Sequence, residues 1–143
     1  MQPFPHHYQV SADAKPEGTV TLSAPGLSNL ESAPPVEFDG PGDCWSPETL
    51  LVAAVADCYA LSFKAVAAAS RFAWTALECS VHGKLDRVER TSLFTQFEIK
   101  ARLKLPPAAD QARAQQLLEK SKQVCLISSS LKSEIHLVTE ITT

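Results

Sequence analysis

Two patterns common in cysteine-bearing chains are missing here. The four cysteines stand at positions 44, 58, 79 and 125, and no two are spaced Cys-x-x-Cys. That spacing argues against a structural zinc site and against a thioredoxin-type redox motif. The four histidines, His6, His7, His82 and His136, form no pair with metal-ligand spacing, so nothing calls for a metal or a cofactor. No basic stripe is present either. Thirteen Lys and Arg against sixteen Asp and Glu leave a net charge of −3, which argues against nucleic acid as the main partner. Met1-Gln2-Pro3-Phe4-Pro5-His6-His7 has neither a positive n-region nor an apolar h-region. No secretory signal is expected, and the cysteines are expected as reduced thiols in a cytoplasm. There is no internal repeat and no low-complexity linker. A chain of 143 residues then reads as one domain, residues 1–143, large enough for a real core.

What is there begins with residues 46–69. Ser46 suits a helix N-cap, Pro47 the first helical position, and Glu48 the positive end of the helix dipole. From Leu50 to Ala69 the only polar residues are Asp57, Cys58, Tyr59, Ser62 and Lys64. A helix over about Pro47 to Ala69 that is apolar nearly all round belongs in a protein interior. Asp57 and Lys64 interrupt it too much for a membrane span.

The flanking segments alternate. Tyr8–Val10 and Gly18–Ser23 read as strands about a turn, and residues 25–44 read mostly as loop. Thr75 to Arg87 carries Leu77, Cys79, Val81 and Leu85 on one face. Leu93 to Leu105 alternates more strictly, as antiparallel strands with a solvated side do. Pro106-Pro107 ends that strand, Ala108 to Lys122 reads as a second helix, and Glu134 to Thr142 as the last strand. The order strands, helix, strands, helix, strand gives an α+β fold, an antiparallel sheet packed against two main helices. A central helix this apolar is hard to cover within one such chain, so a second copy is expected to cover it.

Glu48 and Cys58, ten positions apart behind Ser46-Pro47, together with Cys125-Leu126-Ile127-Ser128 and the approach Gly40-Pro41-Gly42, resemble the OsmC/Ohr family of osmotically inducible and organic hydroperoxide resistance proteins. The resemblance runs from about Tyr8 onward. It implies an OsmC-like intertwined homodimer, a first cysteine at Cys58 that attacks the peroxide, a second at Cys125 that resolves it, and Glu48 beside the first. Three departures stand out. The second element lacks its proline. The family's N-terminal arginine is absent, the first Arg being Arg71, with Lys15 about where it would fall. Asp57 stands where a small residue is usual.

A peroxide-reducing cysteine must be a thiolate, needs a cation or donor to hold that charge, and needs a second thiol to capture the sulfenic acid. The expectation is a thiol-dependent peroxidase acting on organic hydroperoxides through Cys58, Cys125 and Glu48. Leu51, Val55, Tyr59 and Phe63 are expected as apolar substrate walls, and Lys15 as the arginine's substitute. The resemblance implies a dithiol reductant such as protein-bound lipoyl groups. Cys79 reads as core, and Cys44 has no evident role. For Cys58 the plain alternative is a small buried hydrophobe. Two other readings stay open: a redox-sensing dimer without peroxidase turnover, and a dimer that binds a small hydrophobic ligand.

Overall fold

A computed structural model describes all 143 residues, which divide into two compact units, Met1–Leu50 and Leu51–Thr143. In the first unit, β1 (Ser11–Asp13), β2 (Val20–Ser23) and β3 (Leu30–Ser32) form an antiparallel sheet in that order. Pairing starts at Ser11, and the expected strand residues Tyr8–Val10 are exposed coil. A 3₁₀ turn at Val36–Phe38 leads to Gly40, whose N–H donates to the Pro35 carbonyl at 3.0 Å. A Cβ on Gly40 would lie 1.6 Å from the Pro34 carbonyl oxygen, so no other residue fits this approach.

Helix α1 (Pro47–Ala69) starts in the last residues of the first unit and runs on through the second. Its start is a capping box in which threonine replaces the usual glutamate. The Thr49 N–H donates to Ser46 Oγ at 3.1 Å, and the Ser46 N–H donates to Thr49 Oγ1 at 2.8 Å.

The second unit adds β4 (Ala76–Val88), β5 (Thr91–Lys104), α2 (Gln111–Val124), the single turn α3 (Leu126–Ser129) and β6 (Glu134–Thr142). Helix α2 begins later than its composition suggests. Ala108 sits at φ +63° in the turn, and the Asp110 side chain accepts from the Arg113 N–H at 3.0 Å. Strands β4 and β5 pair antiparallel, but β6 lies parallel to β5, so this sheet is mixed. Parallel neighbours need a crossover, and α2 with α3 supplies it.

Strand β5 delivers the core. Phe97, Ile99, Ala101 and Leu103 are fully buried, while Lys100, Arg102 and Lys104 point to solvent. Against them α1 sets Val55, Tyr59, Phe63 and Ala67, and α2 sets Ala114 and Leu118. Gly83 on β4 makes room for the helix, since a Cβ there would meet Val52 Cγ2 at 2.9 Å. Tyr59 is wholly buried, and its hydroxyl donates to the Leu118 carbonyl at 3.1 Å, tying α1 to α2.

Cys79 lies on the inward face of β4 opposite Ala101. Burial first, and the neighbouring Cys125 second, raise its thiol from the ordinary 9.0 to about 11.

Two predictions follow from this core. Phe63→Ala should destabilise the protein by about 3–5 kcal/mol, because it leaves a cavity beneath the edge of Trp74. Tyr59→Phe should cost about 1 kcal/mol, the worth of one buried hydrogen bond. Urea unfolding midpoints distinguish the two. The Cys79 thiol adds a pH dependence. The unfolded chain releases this proton near 9.0 and the folded chain only near about 11. Stability held below that window is therefore lost as pH rises through it. Cys79→Ala should flatten the decline, and identical slopes for both proteins would count against it.

Candidate functional site

The same packing that buries α1 sets the position of Cys58. Residues 51, 55, 59 and 63 recur every fourth position and form the stripe turned to the core. Val55, Tyr59 and Phe63 are fully buried, and Leu51 packs half-buried against them. One residue on a helix is a rotation of about 100°, so Cys58 emerges at the rim of that stripe, half-buried. It lines a groove of about 470 Å³ with Ala54, Asp57, Leu61, Ser62, Leu126 and Ile127. The four residues expected as substrate walls therefore hold the core and do not line this groove. Its walls are Asp57, the helical neighbours of Cys58 at i−4, i+3, i+4 and i+7, and the two residues after Cys125. Both signals are visible in the sequence once Cys58 is taken as the centre. Leu61 and Leu126 are 55% and 66% exposed, so the groove is apolar and uncovered within one chain.

Cys125 is the joint between α2 and α3. It is the C-cap of one and the N-cap of the other, with extended backbone at φ −68°, ψ 103°. It is fully buried. The Ser128 hydroxyl donates to the Cys125 carbonyl at 3.1 Å. Cys58 packs against the buried cluster that contains Cys125, and its groove is closed by Leu126 and Ile127, although 67 positions separate the two cysteines in the chain. Burial pushes the Cys125 thiol pKa up, contacts with the Ser128 hydroxyl and N–H pull it down, and the Cys58 thiol pushes it up again. All four cysteines are free thiols.

Tyr59 and Cys125 belong to the buried cluster against which Cys58 and Cys79 pack. Burial first, and then Cys79 and Cys125, raise the pKa of the Tyr59 hydroxyl. Cys44 stands apart, its thiol donating to the Asp43 carboxylate at 3.5 Å. Burial first, and then Asp43, raise its pKa. His82 and His136 are exposed, and His136 contacts Glu134 at 3.2 Å.

Glu48 sits in the first turn of α1 and lines a separate, largely apolar cavity of about 530 Å³ with Val20, Leu22, Ala33, Pro35 and Phe38. Its Oε2 is buried with no hydrogen-bond partner. A buried carboxylate oxygen without a partner is costly. Lys15 is exposed and makes no ion pair with it. Helix α1 is unbroken between Glu48 and Cys58, so ten residues separate them by about 15 Å along the axis. Within one chain the carboxylate does not reach the thiol.

Comparison with known proteins bears on this arrangement. The family model described as OsmC-like protein matches residues 40–140. The peroxiredoxin OsmC of Escherichia coli is 26% identical over 121 residues, covering 85% of this chain and 83% of the relative. Among solved structures, an OsmC-like protein of unknown function from Vibrio cholerae superposes with a TM-score of 0.86 at 14% identity, over 94% of this chain and 99% of the other. An organic hydroperoxide resistance protein OsmC from Legionella pneumophila gives 0.76 at 20% identity, over 99% and 100%. At these identities the solved structures speak for the fold, and the family model speaks for descent. The chain belongs to the OsmC-like protein family.

Proposed function

We propose that the protein is a thiol-dependent peroxidase for organic hydroperoxides, acting as a homodimer in a reducing, cytoplasmic compartment. The observation that carries this reading is that Cys58 lines an apolar groove closed by the two residues after Cys125 and packs against the core that buries Cys125. The Cys58 thiolate attacks the distal peroxide oxygen. The O–O bond breaks, and a proton and the electron pair leave with the alcohol, giving Cys58–SOH. The Cys125 thiol then displaces hydroxide, which departs as water, and a Cys58–Cys125 disulfide forms before further oxidation. A dithiol reductant, protein-bound lipoyl groups among them, restores both thiols by exchange. The named relatives support the substrate class, being described as a peroxiredoxin and as an organic hydroperoxide resistance protein.

Two features support a second copy as part of the site. Only 28% of the most apolar stretch of α1 is buried within the chain. The unpartnered Oε2 of Glu48 also needs a donor that its own chain does not provide. Antiparallel packing of two α1 helices would bring Glu48 of one copy toward Cys58 of the other, with Lys15 as the nearest replacement for the family's arginine. Lysine carries the charge but lacks the planar two-pronged grip of a guanidinium. The missing arginine, with Asp57 in the groove, favours one other reading, a redox-sensing dimer with slow turnover.

Peroxide consumption with a dithiol reductant tests this function. Cys58→Ser should abolish turnover, and Cys125→Ser should allow at most one turnover without added small thiols. Equal, mild losses in both variants would contradict the assignment. Cumene hydroperoxide should be preferred over hydrogen peroxide by at least about tenfold, the discrimination that roughly 1.4 kcal/mol of apolar contact supplies. Normal disulfide formation with negligible turnover would select the sensor.

A further inference from the structure

The groove beside Cys58 carries one charged side chain, and it is an acid. Its walls are apolar except for the Cys58 thiol, the Ser62 hydroxyl and Asp57, and no Lys, Arg or His lines it. Asp57 shares a helical row with two of those walls, Ala54 three residues before it and Leu61 four after it. It is exposed while it lines the groove, so its charge stands at the open edge. Nothing offsets that charge. Asp57 makes no ion pair. The only cation of α1, Lys64, is about 10.5 Å further along the axis and does not line the groove. The turn α3, which closes the other side, has no charged residue.

We propose that Asp57 sets the charge preference of the site. It turns away hydroperoxides that carry an anionic group near the peroxide, so the substrate class narrows to compact organic hydroperoxides that are neutral or cationic. The inference rests on the reading of Cys58 as the thiol that attacks the peroxide. Within that reading Asp57 is a specificity-determining residue and takes no part in bond making or breaking.

A compound that brings its peroxide oxygen to Cys58 lays the rest of its body along walls that do not solvate charge. An anionic substituent there loses water against Leu61, Leu126 and Ile127, finds no cation, and faces Asp57. For two unit charges roughly 7 Å apart, the repulsion weakens binding about threefold in water and about fiftyfold at the effective dielectric of a protein surface. A cationic substituent loses the same water but is attracted to Asp57, and a neutral one meets neither effect. The attacking Cys58 thiolate adds a second negative charge, which repels anions whether or not Asp57 is present. The share that belongs to Asp57 is therefore the part that changes when Asp57 is replaced.

The test uses the full chain and three hydroperoxides of one shape: cumene hydroperoxide, its para-carboxylate, and its para-aminomethyl derivative, a cation near neutral pH. The readout is kcat/KM for each with dithiothreitol as reductant at low ionic strength, expressed as the ratio of each charged compound to the neutral one. Any effect of Asp57 on the thiol or on folding scales all three rates alike and cancels from these ratios. The carboxylate should be the poorest substrate of the unaltered protein. Asp57→Asn should raise its ratio at least about threefold, and Asp57→Lys should make it a better substrate than the cation. Added salt should narrow the spread in the unaltered protein, because charges at an open edge are screened. Ratios that are the same in the unaltered and Asp57→Asn proteins would overturn the proposal, while turnover that requires Cys58 would leave the peroxidase reading standing. No turnover of any of the three compounds would overturn that reading and this inference with it.

Discussion

The burial of one stripe of α1 is the constraint on which the candidate site depends. Val55, Tyr59, Phe63 and Ala67 are pressed against Phe97, Ile99 and Leu103 of β5, and the Tyr59 hydroxyl is held by the Leu118 carbonyl of α2. This fixes both the rotation of α1 about its axis and its distance from α2. Cys58 follows Ala56 and Asp57 around the helix to the rim of the stripe, where its groove is closed by the two residues after the end of α2 and Cys125. A different rotation would either sink Cys58 into the core or turn it away from Cys125. Cys58 shares its groove with Leu126 and Ile127 because apolar side chains elsewhere on the helix leave it no other orientation.

The electrostatic half of the site has a different character. Glu48 is well placed for the start of a helix, yet its Oε2 is buried and unpartnered, and the chain has no arginine before Arg71. Both cysteines thus lie at one core within one chain, whereas the carboxylate stands about 15 Å along the helix from Cys58. A homodimer would reconcile the two facts, covering the exposed Leu61 and Leu126 while offering Glu48 a donor.

Much of the fold was legible in local pattern. Ser46-Pro47-Glu48 marked the start of α1, and the structure gives the helix the expected bounds Pro47–Ala69. The alternation over Thr75–Arg87 and Leu93–Leu105 marked β4 and β5, which run over Ala76–Val88 and Thr91–Lys104, and β6 lies where its pattern put it, at Glu134–Thr142. What escaped was set by contacts distant in sequence. The parallel alignment of β6 on β5 depends on the crossover through α2, which a period-two pattern does not encode. The start of α2 was masked because Ala108, a good helix former, adopts a left-handed turn ahead of the Asp110 cap. In the site, the periodicity that identified α1 as buried also drew attention to Leu51, Val55, Tyr59 and Phe63, the residues that make the core. The groove lies on the neighbouring face, where Ala54, Leu61 and Ser62 flank Cys58. Cys79 read as packing, and it packs against the core from the inward face of β4.

The claim most central to this account is that Cys58 is oxidised first and Cys125 captures the product. It is tested most directly by trapping sulfenic acid with dimedone after one equivalent of cumene hydroperoxide, and locating the adduct by mass spectrometry. In the Cys125→Ser protein the adduct should accumulate on Cys58, and in the unaltered protein it should be nearly absent, because the Cys125 thiol reaches the sulfenic acid before dimedone does. Equal labelling of Cys58 in both proteins, or labelling found on Cys125 instead, would contradict the account.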